Sequence, residues 1–376
     1  MLYQTHARVH LGNIRKNLEG IRKAVGPARK VLVAVKANAY GHGAVQVARM
    51  AERLGLADWL GVATVPEGIQ LRKAGVRLPI LKLSHAFPEE MGDAVENGIT
   101  LAASEQENVQ ALQAVCKARG LKARVHLKID TGMGRIGVTP EEAPALARFI
   151  ETECPDLHLE GVFTHFPVSD EARQDAFTKA QIARFKQAVA AVEAALGHPL
   201  ELVHCSNSGA VLAHEEAWLS MVRPGIVVYG VYPDETTPRT IPLFPGFSLL
   251  TRISYLKFVK KGTTIGYGRT WEAPEDTWIA TMPVGYADGF NRLFSNSGHV
   301  LVNGRSYPIV GRICMDQSMI DLGPAPAAKV GDEVVLIGRS GDLEITTGDW
   351  AKALKTIAYE VTCLISARVE RIYDAF

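Results

Sequence analysis

A chain of 376 residues, 47% of them hydrophobic, can bury a large core and is long enough for two domains. Its 41 basic and 40 acidic residues leave a formal net charge of +1, which gives no reason to expect nucleic acid or an anionic membrane as partner. No apolar stretch reaches the ~20 residues of a membrane helix, and the opening MLYQTHARVHLGNIRKNL has no apolar leader core, so a cytoplasmic protein is expected.

Over the first two thirds of the chain, short apolar runs alternate with amphipathic segments. VLVAVKA (31–37), WLGVA (59–63), PILKLS (79–84), GITLAAS (98–104), ARVHLKID (123–130), LHLEGVFTHF (157–166), ELVHCSN (201–207) and WLSMVR (218–223) read as buried strands. AVQVARMAERLG, SEQENVQALQAVCKARG and DAFTKAQIARFKQAVAAVEAALG place apolar residues at three- and four-residue steps and read as helices. This alternation over residues 1–240 predicts an α/β fold, a (β/α)8 TIM-like barrel. A doubly wound open sheet would alternate in the same way, but no Gly-x-Gly-x-x-Gly fingerprint accompanies it.

Pro233, Pro238, Pro242 and Pro245 mark a change of texture. Beyond them FSLLTRISYLKFV, TWIATMPVGYA, HVLVNGRSYPIV and DEVVLIG are β-rich, with turn signals between them. One late helix near DWAKALKTIAYEVTCLIS precedes a last strand, ARVERIY. Residues 241–376 therefore predict a mainly antiparallel β domain. The cysteines Cys116, Cys154, Cys205, Cys314 and Cys363 are far apart and lack metal-ligand spacing, so reduced thiols and no metal centre are expected.

Polar residues gather at the C-terminal ends of the predicted barrel strands, where barrel enzymes build active sites. The first strand ends in Lys36 and the fifth in Lys128 and Asp130, with Arg135 in the loop beyond. The sixth ends in Thr164 and His165, the seventh in His204 with Asn207, Ser208 and Gly209, and the eighth in Arg223 with Gly225. Any one of these could be an ordinary solvated charge; together on one face they point to a site. A lysine leaving an apolar strand suits Schiff-base chemistry, because partial desolvation frees its amine as a nucleophile. The loops after the last two strands are a habitual phosphate site in barrels, and they supply Ser208, Gly209, Gly225 and the backbone of Ile226. Lysine plus phosphate cradle favours pyridoxal phosphate over a sugar phosphate.

At these residues the chain resembles the alanine racemase family over nearly its whole length. AVKANAYGHG is similar to that family's cofactor-lysine signature, and HLKIDTGMGRIG, THF, SNSGA, VRPGIVVYG, IGYGRTW, GYADGF, GRICMDQSMI and IAYEVTC follow in the family's order. The resemblance implies a pyridoxal-phosphate enzyme that interconverts L- and D-alanine and supplies D-alanine for peptidoglycan. It also implies a homodimer in which each active site borrows residues from the partner's second domain. Lys36 would carry the cofactor and, with Tyr267 of the partner subunit, move the protons. Tyr40, Ser208, Gly225, Ile226 and Tyr373 would hold the phosphate, and Asn207 would join the cofactor contacts. Arg223 would face the pyridine nitrogen with His204 bonded behind it, while His165 would stack beside the ring or tune Tyr267. Arg135 would bind the substrate carboxylate, helped by the backbone of Met315, and a carbamylated Lys128 would orient Arg135. Asp170, Tyr286, Arg292 and Arg312 would line the entrance.

Racemisation takes the Cα proton from one face and returns one to the other, so two groups on opposite faces suit it. A tyrosine serving as base needs its pKa of about 10 lowered by a neighbouring cation. Arginine opposite the ring nitrogen keeps its own proton and leaves that nitrogen unprotonated, which limits side reactions such as transamination. Asp130 and Asp316 read as orienters, His126 and His158 as ordinary barrel or surface residues, and Cys314 as packing near the site. The chain departs from some family members at Ala367, where a tyrosine that narrows the entrance is found. Racemisation of serine or of a broader amino-acid set, a decarboxylase of related fold, and a non-catalytic pyridoxal-phosphate carrier remain as alternatives. The decarboxylases usually carry a triple-glycine phosphate loop that is not found here.

Overall fold

The computed structural model describes residues 3–376. It separates into two compact units, Asn13–Phe244 and Pro245–Phe376, the second taking with it the described residues up to Gly12.

The first unit is a parallel barrel. Its strands are β2 (Lys30–Ala34), β3 (Trp59–Val62), β4 (Ile80–Lys82), β5 (Ile99–Ala103), β6 (Ala123–Lys128), β7 (Leu157–Phe163), β8 (Leu202–His204) and β9 (Met221–Val222); β1 (His6–Val9) belongs to the other unit. Each of β2 to β8 lies beside its successor in register, and β9 returns to pair with β2. At the remaining edge Ser220, just before β9, donates its N–H to Val203 of β8 at 3.2 Å, which brings the ring close to closure. A doubly wound open sheet is thereby ruled out. The apolar runs become strands because both of their faces are covered, and β3 and β5 are buried along their whole length. Leu32, Trp59, Leu81, Leu202 and Met221, from five strands, form one apolar cluster of this unit.

The strands are shorter than the apolar runs. Lys36, Asp130 and Thr164 fall just beyond the ends of β2, β6 and β7, in the loops rather than in the sheet. Register lines up Lys128, Phe163 and His204 across β6, β7 and β8, so the three share one face of the barrel at its C-terminal end.

The second unit is mainly antiparallel. One sheet runs Arg305–Pro308, His299–Val302, Glu333–Ser340, Phe247–Arg252, β1, Glu370–Tyr373. A second holds Tyr255–Val259, Thr277–Met282 and Ser318–Gly323. The change of texture near residue 240 gives no sign that the N-terminus joins this unit. β1 pairs antiparallel with Phe247–Arg252 and parallel with Glu370–Tyr373. With four residues it is too short for its alternation to be read from sequence. No helix among the described residues is long and apolar enough to cross a membrane.

Candidate active site

Lys36 opens a turn of unusual conformation. Ala37, Asn38, Ala39 and Tyr40 have φ of 52°, 53°, 55° and 53°, a left-handed helical turn with no glycine in it. Each such residue costs about 1–2 kcal/mol, so the surroundings must hold the turn in place. Glu67 does so from the first turn of the helix after β3, Val65–Lys73. Its Oε1 accepts from Ala37 N at 2.7 Å, and its Oε2 accepts from Ala63 N at 2.8 Å and Thr64 N at 3.2 Å. His42, 1% exposed, lies with Nδ1 3.0 Å from the carbonyls of both Ala39 and Tyr40, so that nitrogen carries the proton. The His42 ring stacks on Tyr229 at 4.5 Å, and Tyr229 Oη donates to Ala34 O of β2 at 2.7 Å. The turn is thereby tied back to the strand that delivers Lys36.

The same turn delivers Tyr40 to Gly225. A Cβ built on Gly225 would stand 2.6 Å from Tyr40 Oη and 3.6 Å from Ser208 Oγ. Two hydroxyls thus flank a spot that only glycine leaves clear, and Gly225 N donates to Ser208 Oγ at 2.9 Å. Asn207 sets the position of Ser208. Its Oδ1 accepts from Ala210 N at 3.1 Å and from Ser169 Oγ at 2.6 Å, and its Nδ2 donates to Phe166 O at 3.0 Å. Gly209 passes so close to the Asp170 backbone that a Cβ would lie 2.7 Å from Asp170 N. Ile226 is buried at the start of a single 3-10 turn, Ile226–Tyr229, that follows Gly225. Hydroxyls and small residues at strand ends suit an anion.

A cluster of cations lies at the same end of the barrel. Arg223, 5% exposed, donates from Nη1 to His204 Nδ1 at 2.9 Å and from Nη2 to Thr164 O at 2.7 Å and Cys205 O at 3.2 Å. Burial brings its pKa down to about 10, so it stays charged near neutrality. The Phe163 ring is a platform between charges, with Lys128 Nζ at 5.3 Å and Arg223 Cζ at 5.6 Å from its centroid. His204 stacks parallel to Phe163. Burial, followed by the charges of Arg223, Arg135, Lys128 and Lys36, holds His165 well below the ordinary histidine range. His165 is therefore neutral.

Lys128 is 2% exposed and donates to Ile129 O at 3.1 Å. Burial, then the charges of Arg223 and Arg135, push its amine down to about 7 despite the opposing Asp130. The loop beyond folds back over it, with Val138 N donating to Lys128 O at 3.1 Å. Asp130 acts as the expected orienter, because its carboxylate accepts from the N–H groups of Gly132, Met133 and Gly134 and so shapes the turn leading to exposed Arg135. Burial alone would raise the Asp130 carboxyl; those N–H groups and Lys128 bring it net below the usual range.

Tyr267, Tyr286, Arg292, Arg312, Met315 and Tyr373 all belong to the second unit. Tyr267 is 71% exposed and Met315 53%. Gly268 follows Tyr267 with φ of 71°, and a Cβ there would lie 2.9 Å from Arg312 Nη1, so Arg312 packs against the Tyr267 turn. Gly285 is obligatory, since a Cβ would meet the carbonyls of Cys314 and Met315 at 2.3 Å. Its neighbours Tyr286 and Ala287 donate N–H to those carbonyls at 3.1 and 3.0 Å. Buried Asp288 pins this double loop, accepting from Tyr3 Oη, Gly285 N and Arg368. Arg368 also reaches Asp316 at 2.7 Å, which supports the reading of Asp316 as an orienter. Cys314 is half-buried, and burial raises its thiol despite Arg292. Tyr373 ends the strand Glu370–Tyr373 and is half-buried.

Several participants escape sequence reasoning. Glu67 is announced by a capping box, Thr64-Val65-Pro66-Glu67, a legible signal of a helix start that says nothing of its second task at Ala37. Of the two readings of His126, barrel or surface residue, the barrel one holds: it is fully buried in β6, and it lies 2.9 Å from His204, a contact that nothing in the sequence announces. His158 is exposed and pairs with Glu201, as a surface residue. Glu160 and Arg368 carry no motif, and Asp288 stands within GYADGF without a role being read for it.

The chain matches the family descriptions alanine racemase, N-terminal domain, over residues 9–233 and alanine racemase, C-terminal domain, over residues 247–373. It is 49% identical over 369 residues to an alanine racemase of Cutibacterium acnes, covering 98% of this chain and 97% of that one. An alanine racemase of Desulforamulus reducens is 43% identical, with 98% of each chain covered. Among solved structures, alanine racemase of Clostridium difficile 630 superposes with a TM-score of 0.94 at 39% identity, covering 100% of this chain and 96% of that one. An alanine racemase from Bacillus anthracis with bound L-Ala-P gives a TM-score of 0.93 at 36% identity, with coverage of 100% and 96%.

Proposed function

Since the chain belongs to the alanine racemase family, amino-acid racemases that interconvert L- and D-alanine, we propose that it holds pyridoxal phosphate on Lys36 and works by two bases, Lys36 and Tyr267 of the partner subunit. The observation that carries this reading is the convergence of Tyr40 Oη and Ser208 Oγ on the space left by the missing Cβ of Gly225, within the turn-and-loop set that begins at Lys36. A phosphate fits that cradle, a Schiff-base lysine stands at the start of its turn, and a buried arginine donor lies at the same strand ends. When bound, the cofactor supplies an electron-accepting ring that acidifies the Cα–H of the attached amino acid.

The chain's own groups then divide the work. Tyr40, Ser208 and the backbone of Gly225 and Ile226 hold the phosphate, with Asn207 and Tyr373 in support. Arg223 donates a hydrogen bond to the ring nitrogen and keeps its proton. Arg135 takes the substrate carboxylate, aided by the backbone of Met315 of the partner subunit. Lys36 Nζ takes or returns a proton at Cα on one face, and Tyr267 Oη of the partner subunit serves the other. His165, a neutral imidazole, would stack beside the ring or tune Tyr267. Asp170, Tyr286, Arg292 and Arg312 line the entrance.

Lys128 completes the set as a carbamate. An amine titrating at about 7 has a large neutral fraction near neutrality, and only the neutral amine attacks carbon dioxide. The ammonium first gives one proton to solvent; the neutral amine then forms the N–C bond as a C–O π bond of carbon dioxide opens to an oxyanion, and a second proton leaves, so that a former cation becomes an anion that orients Arg135.

The test is direct. The purified chain should be yellow and should abolish the optical rotation of L-alanine. Lys36→Ala should lose the colour, the borohydride-reducible lysine adduct and racemisation together. A reducible adduct surviving in that variant overturns the assignment of Lys36. Colour without racemisation would mark a carrier, and faster turnover of serine, lysine or arginine would move the substrate.

A further inference from the structure

Barrel cores are usually filled by branched apolar side chains, but behind Arg223 this one is polar. Arg223 Nη1 donates to His204 Nδ1 at 2.9 Å. A guanidinium has donors only, so that nitrogen is bare and the proton of His204 sits on Nε2. His204 Nε2 lies 2.9 Å from His126 Nδ1, which therefore accepts. His126 then carries its own proton on Nε2, 3.3 Å from Glu160 Oε2. A carboxylate has acceptors only, so the far end of the row demands the same tautomers as the near end. The other oxygen of Glu160 accepts from Arg124 Nη1, on the exposed side of the row. His126 and His204 are fully buried, and burial is the main cause holding both below the ordinary histidine range. Each thus has the single proton that the row requires.

The strand is built to admit this row. Between β6 and β7 the register runs Val125 to Leu159 and then His126 to Gly161, so Glu160 is the extra residue of a bulge. Bulges re-aim side chains, and here the bulged residue, 3% exposed, meets His126. Gly161 clears the space beside it, since a Cβ there would lie 3.3 Å from His126 Cε1 and 2.7 Å from Leu202 O. After the bulge, Phe163 falls in register with Lys128 and His204.

We propose that Glu160 and His126 are positioning residues of the active site: by fixing the tautomer of His204 they hold Arg223 in one orientation as an obligate donor. The inference rests on the reading of Arg223 as the residue facing the cofactor ring. Reversing the row would set a His204 N–H against an Arg223 N–H and turn the guanidinium off its line.

Glu160→Gln tests this without changing shape. Arg124 can only donate, so it takes the amide oxygen and leaves the amide NH2 facing His126 Nε2. His126 and then His204 must move their protons to Nδ1. In the histidine-labelled, cofactor-loaded full chain, nitrogen NMR should show Nε2–H on both rings in the wild type and Nδ1–H on both in E160Q. The kcat of E160Q should fall roughly tenfold to a hundredfold, the scale of a misaimed active-site group, with KM moved less. Adding Arg124→Met frees the amide to turn its oxygen inward, so the double variant should recover both the wild-type tautomers and most of the rate. A packing role predicts the opposite, a double variant worse than E160Q.

Unchanged tautomers in E160Q, or a double variant without recovery, overturn the proposal. So does Nδ1–H on either ring of the wild type, a measurement that needs no variant to fold. Arg223→Lys separates the two readings. If it leaves the rate unchanged, the assignment of Arg223 to the ring has failed. If it impairs the rate while E160Q switches tautomers at full rate, the positioning role alone has failed.

Discussion

At the scale of single residues, electrostatics and sterics make separate demands that can be tested apart. Lys128 titrates at about 7 because burial and two guanidinium groups oppose its charge. Below that pH the amine is protonated and cannot take up carbon dioxide; above it the neutral form and the carbamate gain. The KM for L-alanine in bicarbonate buffer should therefore fall as pH rises through about 7. In carbon-dioxide-free buffer above that pH it should rise by about tenfold, the worth of one charge-assisted hydrogen bond, and return when bicarbonate is added. A KM indifferent to carbon dioxide would leave Lys128 as a plain amine. Gly225 makes the steric demand. Alanine there would drive a methyl to 2.6 Å from Tyr40 Oη, and overpacking of that kind costs about 1–3 kcal/mol. Gly225→Ala should weaken cofactor retention by about tenfold or more, read by equilibrium dialysis against pyridoxal phosphate. Undiminished retention would mean that the phosphate lies elsewhere.

At the scale of elements, strands are more legible in the sequence than the turns that leave them. Two-sided burial writes itself into apolar runs, so the eight strands of the barrel, and with them the strand ends that carry Lys36, Lys128, His204 and Arg223, could be placed from composition and spacing. The left-handed turn at Ala37–Tyr40 could not, because Ala-Asn-Ala-Tyr has no glycine to announce positive φ. The turn is imposed by Glu67 and His42 across the fold. The bulge at Glu160 was equally hidden, since an acid in an apolar strand looks like a solvent-facing position until register shows it inside. Glu67→Ala removes acceptors from three backbone N–H groups at once. Those losses, one of which is the glutamate half of the capping box, should destabilise the chain by about 2–3 kcal/mol in urea unfolding and lower the yield of the Lys36 adduct. A change under about 0.5 kcal/mol, typical of surface substitutions, would show that the turn is held by other groups.

At the scale of the whole molecule, the proposed catalytic groups divide between two compact units. Lys36, Arg223 and Arg135 belong to Asn13–Phe244, whereas Tyr267 and Met315 belong to the unit that contains Pro245–Phe376. Tyr267 and Met315 are large, exposed side chains on loops packed from behind by Arg312 and pinned by hydrogen bonds to Asp288. Exposed side chains on loops fastened in this way fit residues that meet another surface. In a two-fold homodimer each site would take its barrel from one chain and Tyr267 from the other, and the arrangement would be repeated by symmetry. Complementation is the consequence of that geometry. Neither Lys36→Ala nor Tyr267→Ala homodimers have a complete site. In the heterodimer one site has lost both groups, but the other joins an intact Lys36 to an intact Tyr267. Random exchange of equal amounts makes half of the dimers mixed, so about a quarter of all sites, and about a quarter of wild-type activity, should return. Sites built within single chains would give no recovery at any mixing ratio. The measurement is the racemisation rate after mixing, with subunit exchange verified independently by mass-tagged chains. Activity that stays at the level of the separate variants despite demonstrated exchange would return Tyr267 to its own subunit's site.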